Sequence, residues 1–126
     1  MARAVLIVDD EQHIRLLIEQ TLEELLDEGV ELYTAADGDE ALEAIAAQRP
    51  ALVFLDVMMP GRSGLDVCRA VRADPELARA HIVLLTAKGQ AQDRAEGLAA
   101  GADEFLTKPF DPDALLALAR GVLGLA

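Results

Sequence analysis

Five short runs rich in apolar and β-branched residues alternate along the chain with longer segments in which apolar residues recur every three or four positions. The short runs cover residues 4–8, 30–34, 51–55, 81–85 and 104–107. Three of them are almost continuously apolar, as strands buried on both faces of a parallel sheet are. The longer segments cover residues 12–27, 39–47, 64–73, 91–99 and 113–123 and read as helices. In the first, Ile14, Leu17, Ile18, Thr21, Leu22, Leu25 and Leu26 recur at helical spacing. Glycines and prolines punctuate the joins, and Asp111-Pro112-Asp113 is a helix start with an acidic cap and a proline in the first turn. Strands and helices in strict alternation predict an α/β fold around a parallel sheet. No repeat or linker interrupts the series, so residues 1–126 read as one domain.

Composition narrows the class of partner. The chain has 126 residues, of which 52% are hydrophobic and only 3% aromatic, so the core must be built from Ala, Leu, Val and Ile. A formal net charge of -12 repels phosphate backbones and anionic lipid, which argues against direct nucleic-acid or membrane binding. The same excess of acid can serve cations that prefer oxygen ligands. With Cys68 as the single cysteine no intrachain disulfide can form. The first apolar run is too short for a signal peptide and ends in acids, and no stretch approaches the roughly 18 apolar residues of a membrane span. A cytoplasmic protein is expected.

In an open α/β sheet ligands bind beyond the carboxyl ends of the strands, where the strand order reverses. The first run ends in Asp9-Asp10, the third in Asp56, the fourth in Thr86 and the fifth in Lys108. The second ends in Thr34-Ala35-Ala36 and offers no charge, as an edge strand outside the crevice would. Three carboxylates brought together repel, and one would be forced to hold a proton. A divalent cation removes that conflict, and an oxygen-only donor set suits Mg²⁺. Lys108 adds a mobile positive charge and Thr86 a hydroxyl, a combination that can bind a phosphoryl group. Asp56 is then the candidate nucleophile, forming an aspartyl phosphate. Taken singly, each residue has a commoner use as a cap, turn or solvated lysine. Their coincidence at matching strand ends favours a site.

These residues lie in longer motifs. Val8-Asp9-Asp10-Glu11, Leu55-Asp56-Val57-Met58-Met59-Pro60-Gly61, Leu85-Thr86-Ala87 and Thr107-Lys108-Pro109-Phe110 resemble the receiver domain of bacterial two-component response regulators. The resemblance extends over Ala36-Asp37-Gly38-Asp39-Glu40-Ala41-Leu42 and Gly101-Ala102-Asp103-Glu104-Phe105, essentially the whole chain. It implies a flavodoxin-like, doubly wound sheet of five strands in the order 2-1-3-4-5, flanked by five helices. It implies that Asp56 accepts phosphate from the phosphohistidine of a sensor histidine kinase or a histidine phosphotransfer protein. Mg²⁺, or Mn²⁺, would be held by Asp9, Asp10, Asp56 and the backbone carbonyl of Met58. Lys108 and Thr86 would bind phosphoryl oxygens, and Phe105 would turn inward as Thr86 moves, reshaping the surface of the fourth helix, fifth strand and fifth helix. A downstream effector protein or an output domain would read that change, and a phosphorylation-dependent dimer is a further implied state. Such a domain catalyses only its own phosphoryl transfer and dephosphorylation. The Lys108-Pro109 peptide is usually cis in the family.

The chain departs from the family pattern in places. Phe105 lacks the hydroxyl of the tyrosine often found there. Met58 and Lys88, each two residues beyond a site residue, occupy places that influence phosphoryl hydrolysis. An apolar Met58 cannot position water, which implies a long-lived phosphoryl state, and the apolar residues after Asp56 are expected to shield the group. The fifth helix carries Arg120 as its one charge over residues 114–123, unlike the charge-alternating helix of dimerising receivers. His13 reads as an exposed helix residue, His81 as structural and Cys68 as a small core residue. The rival reading is a metal-dependent phosphatase or phosphotransferase with an aspartyl nucleophile. The haloacid dehalogenase type carries a second acid where this chain has Met58, and a flavodoxin would need a Ser/Thr/Gly-rich loop in place of Asp9-Asp10-Glu11-Gln12.

Overall fold

A computed structural model describes residues 3–87 and 91–125. The elements run β1 (Arg3–Val8), α1 (Gln12–Leu22), a 3₁₀ segment (Glu23–Glu28), β2 (Val30–Ala35), α2 (Gly38–Gln48) and β3 (Leu52–Asp56). They continue with α3 (Gly64–Ala73), β4 (His81–Ala87), α4 (Ala91–Ala100), β5 (Glu104–Lys108) and α5 (Pro112–Leu123). The five strands are all parallel, in the order β2-β1-β3-β4-β5. The reversal of strand order falls between β1 and β3, so the crevice lies where the charged strand ends predict it.

Side-chain alternation divides the core between the two faces of the sheet. Leu6, Val8, Val53, Leu55, Ile82 and Leu84 face α2, α3 and α4, where Ile45, Val67, Cys68 and Val71 meet them. Val5, Ile7, Leu52, Phe54, Val83 and Leu85 face α1 and α5, where Ile18, Leu22, Leu115 and Ala119 meet them. Cys68 is a buried core residue as expected. The helix starts are chemically marked. Asp37 accepts from the Glu40 amide at 2.8 Å, Ser63 and Asp66 form a reciprocal capping box, and Asp111 caps α5 just before Pro112.

The first helix is shorter than its apolar spacing predicts. It stops at Leu22, and residues 23–28 wind as 3₁₀ turns. Leu25 still reaches the core, while Leu26 is turned outward. A tighter turn retains the i, i+3 spacing, and left-handed Gly29 closes it by donating to the Leu25 and Leu26 carbonyls. Arg72 ties the far end of α3 to its surroundings. Its guanidinium donates to the carbonyls of Gly101, Ala78 and Ala80 and pairs with Asp103 at 2.6 Å. The one basic residue of α5 is likewise engaged within the chain, because Arg120 pairs with Glu24 and Glu28 of the 3₁₀ segment.

Candidate functional site: a carboxylate and lysine cluster at the strand ends

Asp56 is the last residue of β3, and its register partner on β4 is Leu85. The sheet brings its carboxylate to the rim while the rest of the strand stays in the core. Asp9 follows the last residue of β1, and Lys108 closes β5. Thr86 lies one residue from the end of β4, opposite Thr107. The strand ends named from the sequence therefore converge on one patch. Asp9, Asp56 and Thr86 are the buried polar or charged residues among the described ones, and Asp56 is only 4% exposed.

Lys108 stands at the centre. Its Nζ lies 2.8 Å from Asp9 Oδ2, 3.2 Å from Asp56 Oδ1 and 4.0 Å from Glu11 Oε1. Burial alone would lower the ammonium, but hydrogen bonding and charge from Asp9 and Asp56 outweigh it and hold it above the ordinary lysine value. Asp56 moves in the opposite sense to most paired acids. Burial, reinforced by the charge of Asp9, pushes it up to about 7, against the pull of Lys108. This is the unrelieved conflict of clustered carboxylates expected from the sequence.

Asp9 is held on almost every side. Its Oδ1 accepts the Glu11 amide at 2.9 Å, its own amide reaches the Ala35 carbonyl at 3.2 Å, and its carbonyl accepts Arg15 Nη1 at 2.6 Å. Its Oδ2 is fully buried with no aligned donor, although the ammonium of Lys108 touches it. Asp10 is exposed, and one ligand oxygen each from Asp9, Asp10 and Asp56 lies within 4.8 Å of the others. Three carboxylate oxygens at that spacing fit a hard divalent cation. The donor set holds no nitrogen or sulfur that would favour a softer metal.

After Asp56, Val57 and Met59 turn into the core, and Met58 projects outward, 68% exposed. Strand alternation is the reason, since neighbouring side chains take opposite sides as the chain leaves β3. Gly64 fixes the return of this loop. Its amide donates to the Val57 carbonyl at 3.0 Å, and a Cβ there would lie 2.2 Å from the Asp56 carbonyl oxygen. Phe105, on β5, is half-buried and rests against α4. The Arg94 guanidinium carbon stands 5.7 Å from its ring centre, and a Cβ at Gly97 would come within 2.6 Å of its ring. The Lys108–Pro109 peptide is cis. Lys88 lies outside the described residues. His13 is exposed beside Glu11, and His81 pairs with Glu104 at 2.6 Å at the opposite end of the sheet.

Sequence reasoning passed over Glu11, Arg15 and Gly64. The first two are four residues apart, the spacing that puts side chains on one helical face beside the Asp9-Asp10 loop. A cavity of about 510 Å³ among Ile45, Arg49, Pro50 and Leu77 lies at the amino ends of the strands, away from the carboxylates.

Fold and site define a flavodoxin-like α/β protein with an acidic, lysine-centred pocket at its topological switch point. The chain belongs to the response regulator receiver domain family, whose pattern it matches over residues 5–120. It is 37% identical to the chemotaxis protein CheY4 of Vibrio cholerae, with a TM-score of 0.85 over 97% of this chain and 99% of that one. It is 34% identical to the receiver domain of NtrX from Brucella abortus, with a TM-score of 0.83 over 97% and 99% of the two chains. The BeF3-activated DrrB receiver domain matches at 30% identity and a TM-score of 0.85 over 98% and 99%. Receiver domains are phosphorylation-activated signalling domains of two-component systems and interact with histidine kinases and effectors. Phosphorylation and Mg²⁺ binding are typical of the family. Among the described residues no helix is long and apolar enough to cross a membrane.

Proposed function

We propose that this receiver is switched by phosphorylation of Asp56. The observation that carries the reading is the Asp56 carboxylate at the end of β3, within 3.2 Å of Lys108 Nζ and grouped with Asp9 and Asp10. A carboxylate oxygen of ionised Asp56 attacks the phosphorus of a phosphohistidine on a sensor kinase or phosphotransfer protein. The new O–P bond forms as the N–P bond breaks, the electron pair returns to the imidazole nitrogen, and that nitrogen takes up a proton. Lys108 neutralises charge on the transferring oxygens, and Thr86, one residue from the end of the adjacent strand, supplies a hydroxyl to another. Asp9, Asp10, Asp56 and the Met58 carbonyl would hold Mg²⁺, or Mn²⁺, which when bound screens the carboxylates from one another and from the incoming phosphoryl group.

The output follows from local packing. An aspartyl phosphate adds about 1.5–2 negative charges at the pocket. Thr86 moves toward it, Phe105 follows, and the surface of α4, β5 and α5 changes its population. An effector protein or output domain reads that surface. A phosphorylation-dependent dimer would rely on apolar contacts along α5, because Arg120 is engaged with Glu24 and Glu28. We place the domain in the cytoplasm, where its kinases present their phosphohistidine.

Incubation with acetyl phosphate and Mg²⁺, followed by intact-mass measurement, tests the reading. Wild type should gain one phosphoryl group and Asp56→Asn none. No gain on wild type, or equal gain on both, would overturn it.

A further inference from the structure

We propose that Arg15 is a positioning residue for the metal pocket, holding the Asp9-Asp10 peptide so that both carboxylates present themselves to one cation. The inference rests on the function proposed above and assigns a role to a residue outside the acid, threonine and lysine set.

The Asp9 carbonyl lies just past the end of β1, where the strand ladder no longer engages it. Its partner is Arg15 Nη1 at 2.6 Å, a short charge-assisted bond from the first turn of α1. That helix start has no side-chain cap of its own, since Glu11 at the cap position makes no such bond. The Arg15 bond therefore fastens the loop to the helix. Because a peptide unit is planar, holding the Asp9 carbonyl also fixes the amide of Asp10 and the direction from which its side chain departs. Asp10 is exposed, so packing does little to orient it.

Charge strengthens the case. Arg49, Arg62, Arg69, Arg72 and Arg120 each pair with a carboxylate. Arg15 is half-buried, and its partner among the described residues is a carbonyl, so its positive field is not cancelled by an ion pair. That field acts from beneath Asp9, whose buried Oδ2 has no aligned donor. Residues that orient ligands in this way typically change metal affinity by about 10–100-fold.

The test is Mg²⁺ alone, titrated into the phosphate-free protein and followed by the Asp10 and Glu11 amide resonances, for wild type, Arg15→Met and Arg15→Lys. Urea midpoints without metal are measured in parallel. Arg15→Met should weaken Mg²⁺ binding by about 10-fold and shift the Asp10 amide before metal is added. Arg15→Lys, which restores a charge and one donor, should bind within about 3-fold of wild type. Affinities within 2-fold across the series would overturn the proposal, by the same estimate of about 10-fold. So would equal weakening by Met and Lys that simply follows the loss of urea stability. If wild type itself binds no Mg²⁺, the proposed function fails and this inference falls with it; if only the variant series is flat, the inference fails and the function stands.

Discussion

Asp56→Asn should stabilise the metal-free protein, and the gain should grow with pH. The Asp56 carboxyl is 4% exposed and sits against Asp9, so its ordinary value of 3.8 is raised to about 7 in the folded chain. A folded value above the unfolded one means that the protonated form favours folding. The contribution is fully present below about pH 4 and is lost as pH rises through about 7. A gap of about three units corresponds to an upper bound of about 4 kcal/mol at roughly 1.4 kcal/mol per unit. Local relaxation around the carboxylate brings the expected difference to about 2–4 kcal/mol near pH 8. Asparagine keeps the shape and cannot ionise. Urea unfolding in EDTA, followed by far-UV circular dichroism from about pH 4 to about pH 8, should show matched stabilities at the acid end and a widening advantage for the variant. Mg²⁺ at ten times its dissociation constant should then stabilise wild type by about 1.4 kcal/mol and narrow the gap. A difference between the two proteins that stays constant with pH, or a variant less stable than wild type near the alkaline end, would refute the electrostatic reasoning.

Three other substitutions probe separate parts of the account. Gly64→Ala puts a Cβ 2.2 Å from the Asp56 carbonyl oxygen, and because backbone cannot yield cheaply it should cost about 1–3 kcal/mol in urea unfolding; wild-type stability would show that the close approach is not needed. Gly97→Ala puts a Cβ 2.6 Å from the Phe105 ring and from Leu84, so the aromatic resonances of Phe105 should move while the Asp10 amide does not; an unmoved ring would remove α4 as its seat. Met58→Asn should leave stability within about 0.5 kcal/mol, as exposed positions do, yet hasten loss of the phosphoryl group by giving water a polar partner. An unchanged phosphoryl lifetime would show that this position does not control hydrolysis.

Much of this organisation is legible in the sequence. The strands β1, β3 and β4 are buried on both faces, so their apolar runs are continuous and mark themselves. Asp9, Asp56 and Lys108 stand where those runs and β5 stop, and a parallel sheet gathers such positions at one rim. The end of α1 was less legible, because 3₁₀ and α turns share the i, i+3 spacing that Leu22 and Leu25 display. Arg15 could not be assigned from its position alone, since its long side chain reaches back six residues to a carbonyl and no residue-type pattern records that contact. The Gly97 seat of Phe105 is equally silent, being a missing atom on one element beside a ring on another.

The central claim is that one carboxylate, Asp56, carries the signal. Protein phosphorylated with acetyl phosphate and Mg²⁺ can be reduced with borohydride, which converts an aspartyl phosphate to homoserine, and then mapped by peptide mass spectrometry. The account predicts homoserine at position 56 and unmodified aspartate at positions 9 and 10. Homoserine at either of those positions, with Asp56 unchanged, would contradict it.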